Sequence, residues 1–259
     1  MRPVIHFVAI LFLYGCSSNY VVPVNLEAAS PFNVHIMGDA LSQVYLIESE
    51  RGLIVVDPGV SGDENKILRK MKEIGRDDLK LIFITHAHFD HYGGAAALRG
   101  ITGAPIAIHQ LDATAMAQGE TDLGTAHGRG KIGKFFLPVA YLFWRPPDTE
   151  ADIVFEDAYR FSDLGLDAVA LHTPGHTPGS SALILENKYV FAGDLVSSRS
   201  DTPTAQRYYA DDWSQLRESL ERVKQLDPIL VFSGHGRPIK KEEFEKLELK
   251  QTQPDPLTD

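Results

Sequence analysis

A chain of 259 residues, 44% of them hydrophobic, has material for one substantial core and little left for a second. Its formal net charge of -10 argues against nucleic acid as a partner, because phosphate binding needs a basic face. With one cysteine, Cys16, an internal disulfide is excluded.

Met1 and Arg2 precede an apolar run over residues 4–14, interrupted by His6. This has the charge and length of a secretory leader and is too short to span a bilayer. The run ends in Leu13-Tyr14-Gly15-Cys16, which resembles a bacterial lipobox. That resemblance implies cleavage before Cys16 and acylation of its thiol with palmitate or a similar chain. Tyr14 departs from the small or β-branched residue usual there, and ordinary cleavage near Ala28-Ala29-Ser30 is the alternative. Ser17 and Ser18 after the cysteine resemble outer-membrane sorting, on the periplasmic face of a bacterial envelope. The expected division is a signal over 1–15, a tether over 16–30, a single folded domain over 31–240 and a polar tail over 241–259.

Within the domain, residues 34–37 and 43–47 read as paired strands, and Gly-Leu-Ile-Val-Val-Asp57 as a buried strand ending in an Asp-Pro-Gly turn. Ser61 and Glu64 have capping-box spacing ahead of a helix bearing Ile67, Leu68, Met71 and Ile74. A buried strand over 81–84 delivers His86; a helix over 93–99 and a strand over 105–109 follow. The second half repeats the pattern: a strand over 166–171, a Pro/Gly-rich loop, and a hairpin turning at Glu186-Asn187. Asp211 or Asp212 then caps a helix with Trp213, Leu216, Leu220 and Val223 on its apolar face, and a strand over 229–232 presents His235. Alternating strands and helices predict an α/β fold with sheets covered by helices.

The chemistry concentrates in Thr85-His86-Ala87-His88-Phe89-Asp90-His91, joined by His176, Asp194 and His235. Imidazoles and carboxylates are ligands of zinc and related divalent ions. Each candidate follows a predicted strand, so all can converge on one rim of a layered fold. His86 and His88 alternate by two, as in an extended segment, unlike the i, i+4 pair of a zinc-binding helix. Of the remaining histidines, His172 reads as a loop residue or a group supporting the ligands from behind, and His35, His109 and His127 as structural or solvent-facing.

Val-Val-Asp57-Pro-Gly, the His86–His91 cluster, Thr-Pro-Gly-His176-Thr-Pro-Gly, Phe-Ala-Gly-Asp194 and Gly-His235-Gly together resemble the metallo-β-lactamase superfamily, from roughly Asn33 to Pro238. The resemblance implies a four-layer αβ/βα sandwich with a dinuclear site at its edge. It implies His86, His88 and His176 on a first metal, Asp90, His91 and His235 on a second, and Asp194 bridging. Asp57 would orient the histidine loop without ligating. Two divalent ions, zinc first with iron or manganese as alternatives, would make hydroxide available at neutral pH, with Asp90 orienting the nucleophile or moving its proton. Tyr208 or Tyr209 would lie where related lactonases and thioesterases place a phenol that polarises a carbonyl.

The expected activity is hydrolysis of a thioester, ester or lactone of a small molecule, in the glyoxalase II and lactonase-like branch. β-Lactamases with a thiolate ligand need a cysteine inside the fold, and their cysteine-free counterparts lack the bridging carboxylate that Asp194 supplies. A full glyoxalase II carries a C-terminal helical domain for which too few residues follow Gly236. Rival readings are a β-lactamase, a mononuclear iron persulfide dioxygenase and a non-catalytic binding lipoprotein. The substrate contacts are expected between Thr121 and Glu150, which begins Gly-rich and basic and ends apolar and aromatic. That stretch reads as an acyl pocket, a membrane contact, a lid or a dimer contact.

Overall fold

Alternation along the strands divides the apolar residues of this chain between two faces of each of two sheets. The computed structural model describes residues 32–38, 41–200 and 202–249; the expected leader, Cys16 and the tether lie outside them. Strands β1 (Phe32–Ile36), β2 (Tyr45–Ser49) and β3 (Gly52–Val56) form an antiparallel run. Helix α1 (Glu64–Glu73) crosses over to β4 (Leu79–Phe83). The short α2 (Phe89–Tyr92) and α3 (Ala95–Thr102) lead to β5 (Ile106–His109). Then come α4 (Gln110–Ala117), β6 (Thr125–Ala126), α5 (Arg129–Trp144) and β7 (Ile153–Phe155). The first sheet has the order β1-β2-β3-β4-β5-β7, parallel from β3 onward.

The second half contributes β8 (Tyr159–Arg160), β9 (Ala168–His172), β10 (Ser181–Leu185), β11 (Tyr189–Phe191), β12 (Val196–Ser198), β13 (Thr204–Ala205) and β14 (Tyr209–Ala210). It closes with α6 (Trp213–Lys224), β15 (Leu230–Phe232), β16 (His235–Gly236), β17 (Ile239–Lys240) and α7 (Lys241–Phe244). The second sheet runs β17-β15-β11-β10-β9-β8. Its hairpin turns where expected, with Glu186 and Asn187 both at positive φ (51° and 54°).

The four-layer sandwich follows from the partition of side chains. In β3, Ile54 and Val56 join the core between the sheets, whereas Leu53 and Val55 join the core under α1 and α3. In β10, Leu183 and Leu185 face the first sheet, while Ala182 and Ile184 pack with Leu216, Leu220 and Val223 of α6. Tyr45, Phe191 and Phe232 fill the inter-sheet core, the two phenylalanines stacked with centroids 4.3 Å apart. Each fully buried aliphatic or aromatic side chain contributes about 1.5–3 kcal/mol of burial.

Three local expectations shift. The Ser61–Glu64 capping box does not form: Ser61 Oγ donates to the Gly93 carbonyl (3.1 Å), tying the start of α1 to the end of α2. The helix expected over 93–99 is α3, and the residues before it form the separate turn α2, which carries Asp90 and His91. Packing also continues past residue 240, where a polar tail was expected, because α7 buries Phe244 and Leu247 joins the same core. Asp212 is the cap of α6, its Oδ1 accepting from Ser214 N and Gln215 N at 2.7 and 3.0 Å.

Candidate metal centre

Loops that follow four strands meet at one rim of the sandwich. The loop after β4 carries His86 and His88, that after β9 carries His176, that after β11 carries Asp194 in a 3-10 turn, and that after β15 leads at once into His235, the first residue of β16. Three sets of ligand atoms lie within 4.8 Å of one another: His86, His88 and His176; His86, His91 and Asp194; Asp90, His91 and His235. All seven residues expected from the sequence are brought together.

Hydrogen-bond partners fix the tautomers of the first set. The Thr85 hydroxyl has one proton, and Asp57 Oδ2 (2.7 Å) can only accept it. Thr85 Oγ1 therefore accepts from His86 Nδ1–H (2.9 Å), leaving His86 Nε2 a bare lone pair. His88 Nε2–H donates to the Asp122 carbonyl (2.7 Å), leaving Nδ1 bare. His176 Nδ1–H donates to the Tyr209 carbonyl (2.9 Å), leaving Nε2 bare. These bare nitrogens face one another, His86 Nε2 and His176 Nε2 at 3.0 and 3.1 Å from His88 Nδ1. Lone pairs so arranged repel unless a cation lies among them, and nitrogens bound tetrahedrally to zinc at about 2.1 Å stand roughly 3.4 Å apart. The donor set fits a divalent ion.

Asp57 works on both sides of the centre. Its Oδ1 accepts from Thr85 N (2.8 Å) and its Oδ2 from His91 Nδ1–H (2.8 Å), so it orients His86 through Thr85 and His91 directly, without entering the ligand set. His91 Nε2 and Asp194 Oδ1 are then left buried without a hydrogen-bond partner, 3.5 Å apart. Two unsatisfied polar atoms in such a spot are costly in the absence of a ligand. Asp194 Oδ2 lies 3.4 Å from His176 Nε2 and 3.0 Å from His235 Nε2, so the carboxylate stands between the two histidine sets. Gly234 permits this: a Cβ there would sit 2.1 Å from Asp194 Oδ1. Asp90 Oδ2 is 3.8 Å from His91 Nε2 and 4.0 Å from His235 Nε2.

Electrostatics separates the two sides. Burial, reinforced by neighbouring imidazoles, holds His86 well below its ordinary pKa, and burial lowers His88 and takes His176 down to about 3. Burial opposes protonation of His91 too, but Asp90, Asp57 and Asp194 outweigh it and raise the imidazole to about 10. Burial would raise Asp194, yet His235 and His91 hold it well below the carboxylate range. His235 differs in another way. Arg199 Nη2 donates to its Nδ1 (2.7 Å), so the proton of the neutral ring is on Nε2, directed at Asp194.

Other contacts were not legible in advance. Asp112 is buried and ties two metal loops together: Oδ2 accepts from Ala87 N (2.8 Å) and Thr177 Oγ1 (2.7 Å), and Oδ1 from Gly179 N (2.7 Å). Gln206 Nε2 reaches Asp194 Oδ2 at 3.4 Å. Of the two tyrosines, Tyr209 lies under α5 with its pKa raised by burial and by Asp90, whereas Tyr208 carries the Arg207 guanidinium over its ring at 5.0 Å. The stretch from Thr121 to Glu150 does abut the centre, since Thr121 Oγ1 accepts from Phe89 N (2.9 Å) and Asp122 holds His88. His109 and His172 stack on each other at 3.8 Å, His127 stacks on Trp213, and His35 pairs with Glu48, all outside the ligand set.

Residues 37–235 match the family model described as the metallo-beta-lactamase superfamily. A protein named "Probable metallo-hydrolase" from Methanocaldococcus jannaschii is 26% identical over 201 residues, 75% of this chain and 87% of that one. The hydroxyacylglutathione hydrolase GloC of Haemophilus influenzae is 28% identical over 197 residues, 73% of this chain and 82% of the relative. Among solved structures, a protein in a di-iron-bound form superposes with a TM-score of 0.61 at 27% identity, covering 87% of this chain and 98% of that one. A class B3 di-zinc metallo-beta-lactamase from an Alaskan soil metagenome gives 0.56 at 23% identity, covering 78% and 75%, a likeness of fold alone.

Proposed function

This chain belongs to the metallo-beta-lactamase superfamily and is a metal-dependent hydrolase; on that premise we propose that it carries two zinc ions and cleaves the carbonyl of a thioester, ester or lactone. The observation that carries the reading is Asp194, placed within 3.5 Å of both His176 and His91. His86, His88 and His176 would hold one ion, Asp90, His91 and His235 the other, and Asp194 both. Such a pair acidifies water to a nucleophile at neutral pH and polarises a carbonyl oxygen.

The chain's own residues supply the rest. Asp57 and Thr85 orient His86 and His91 and keep the loop from swinging. Asp90, partly open to solvent and facing His91 and His235, accepts the proton of the attacking water and passes it to the leaving group. Tyr209, kept protonated by burial and by Asp90, is a donor for the oxygen that gains charge. The relative named for hydrolysis of hydroxyacylglutathione favours a carbonyl ester or thioester over a β-lactam. The leader and Cys16 support an acylated chain on the periplasmic face of an outer membrane. Metal analysis after loading with zinc, iron or manganese, followed by thioester, lactone, ester and β-lactam substrates, tests the assignment. Two ions per chain and preference for thioesters or lactones are expected. A single iron with oxygen consumption would replace the hydrolase with a dioxygenase.

A further inference from the structure

Helix α5 has two unlike faces. Gly130, Gly133, Leu137 and Tyr141 share its inner side. A Cβ at Gly133 would lie 2.0 Å from the Tyr209 hydroxyl, and the Tyr141 ring meets Phe89, next to His88, at 6.2 Å. The helix therefore roofs the rim that carries the ligand set. On the opposite side, Ile132 (60% exposed), Phe135 (76%), Val139 (42%) and Leu142 (79%) form one stripe at helical spacing. These are four of the seven large hydrophobic residues exposed among those described. The helix bears Lys131 and Lys134, both exposed, and has no acidic residue, in a chain whose net charge is -10.

We propose that α5 lies in the surface of an anionic bilayer, its stripe from Ile132 to Leu142 sunk among the acyl chains, so that the metal centre beneath it takes amphiphilic acyl substrates from the membrane. Three observations choose a bilayer as the occupant. The stripe joined to lysines without acids complements anionic headgroups. None of the helices among the described residues is long and apolar enough to cross a membrane, so α5 would lie along the surface. The chain ahead of Phe32 contains the apolar run and Cys16, and the residues between Cys16 and Phe32 span at most about 50 Å, which keeps an anchored domain within reach of the surface. The inference rests on the envelope placement proposed above and extends the carbonyl-hydrolase reading.

The test uses the full, zinc-loaded chain as Cys16→Ser, which removes the only native thiol. A single cysteine is then introduced as Phe135→Cys, Leu142→Cys, or, as controls, Ile101→Cys and Val154→Cys, and labelled with an environment-sensitive dye. On adding phosphatidylethanolamine vesicles containing phosphatidylglycerol, the dyes at 135 and 142 shift to the blue and lose access to aqueous iodide, while those at 101 and 154 do not. Phe135→Asp with Leu142→Asp weakens partitioning onto these vesicles by at least about tenfold, the scale expected for two buried apolar side chains. Unchanged dyes at 135 and 142 at saturating vesicle overturn the proposal, whether or not the leader inserts. A blue shift that needs no vesicles and grows with protein concentration also overturns it, since a second copy then covers the stripe. The anchor is judged separately by the mass of Cys16 in the mature wild-type chain: an unacylated cysteine removes the lipoprotein reading and leaves the dye result to decide the helix.

Discussion

The two sides of the centre are built on different terms. On the His86, His88 and His176 side every imidazole is buried, neutral and locked by a partner that dictates its tautomer. On the Asp90, His91 and His235 side one imidazole is held protonated by carboxylates, another is occupied by Arg199, and Asp90 is partly open. On the two-ion reading proposed above, the first side is preorganised and an ion would enter it without displacing anything. The second would have to release a proton from His91 and part His235 from Arg199. The difference predicts sequential loading, with the three-histidine side filled first.

The sharpest way to break that comparison is His88→Ala, which removes a ligand of the preorganised side. It is expected to lose the tighter ion and at least about 10³-fold in activity together, measured by elemental analysis and kcat/KM. A variant that keeps both would sink the ligand assignment. Asp194→Asn is next: one ion should remain and activity should fall about 10²-fold or more, because the atom between the two sides no longer carries charge. Asp57→Asn frees both the Thr85 hydroxyl and His91, and should weaken metal binding by about 10–100-fold on both sides.

The pH dependence sharpens the contrast. Since His91 is raised to about 10, a second ion would displace a proton, and its affinity should rise about tenfold per unit between roughly pH 7 and 9. The first ion meets an imidazole at about 3 and neighbours also lowered, so its affinity should be nearly flat over that window. Competition titrations against a chromophoric chelator would show equal slopes if the two sides were alike. The smallest effect has the opposite sign from the others. Arg199→Ala should tighten the second ion a few-fold, since Nδ1 of His235 becomes free to carry the proton and Nε2 to bind; weaker binding would show that Arg199 supports the site.

Much of this centre was legible because its ligands are short-range signals. His86 to His91 crowd into one loop, and Asp57, His176, Asp194 and His235 each follow a strand that periodicity marks. Asp112 carried no such mark: an aspartate in the first turn of a helix looks like an ordinary favourable charge, and only the packing of α4 against two loops makes it a buried clamp. Arg199 likewise reads as an exposed charge until the loop after β12 brings it to His235. Ser61 went the other way, a well-spaced cap diverted to Gly93 by a tertiary neighbour.

By itself, then, the sequence marked the alternating strands and helices of an α/β fold, because periodicity is a local property of the chain, and its resemblance to the superfamily pointed to the seven side chains that the structure brings together. Tertiary structure alone decided which nitrogen of each histidine is bare, that His91 is charged while His176 is not, and that α5 turns glycines toward Tyr209 and an apolar stripe outward. Those properties depend on partners far apart along the chain, such as Asp57 for His91 and Tyr209 for His176, and hydrogen-bond direction and burial exist only once the sheets have closed.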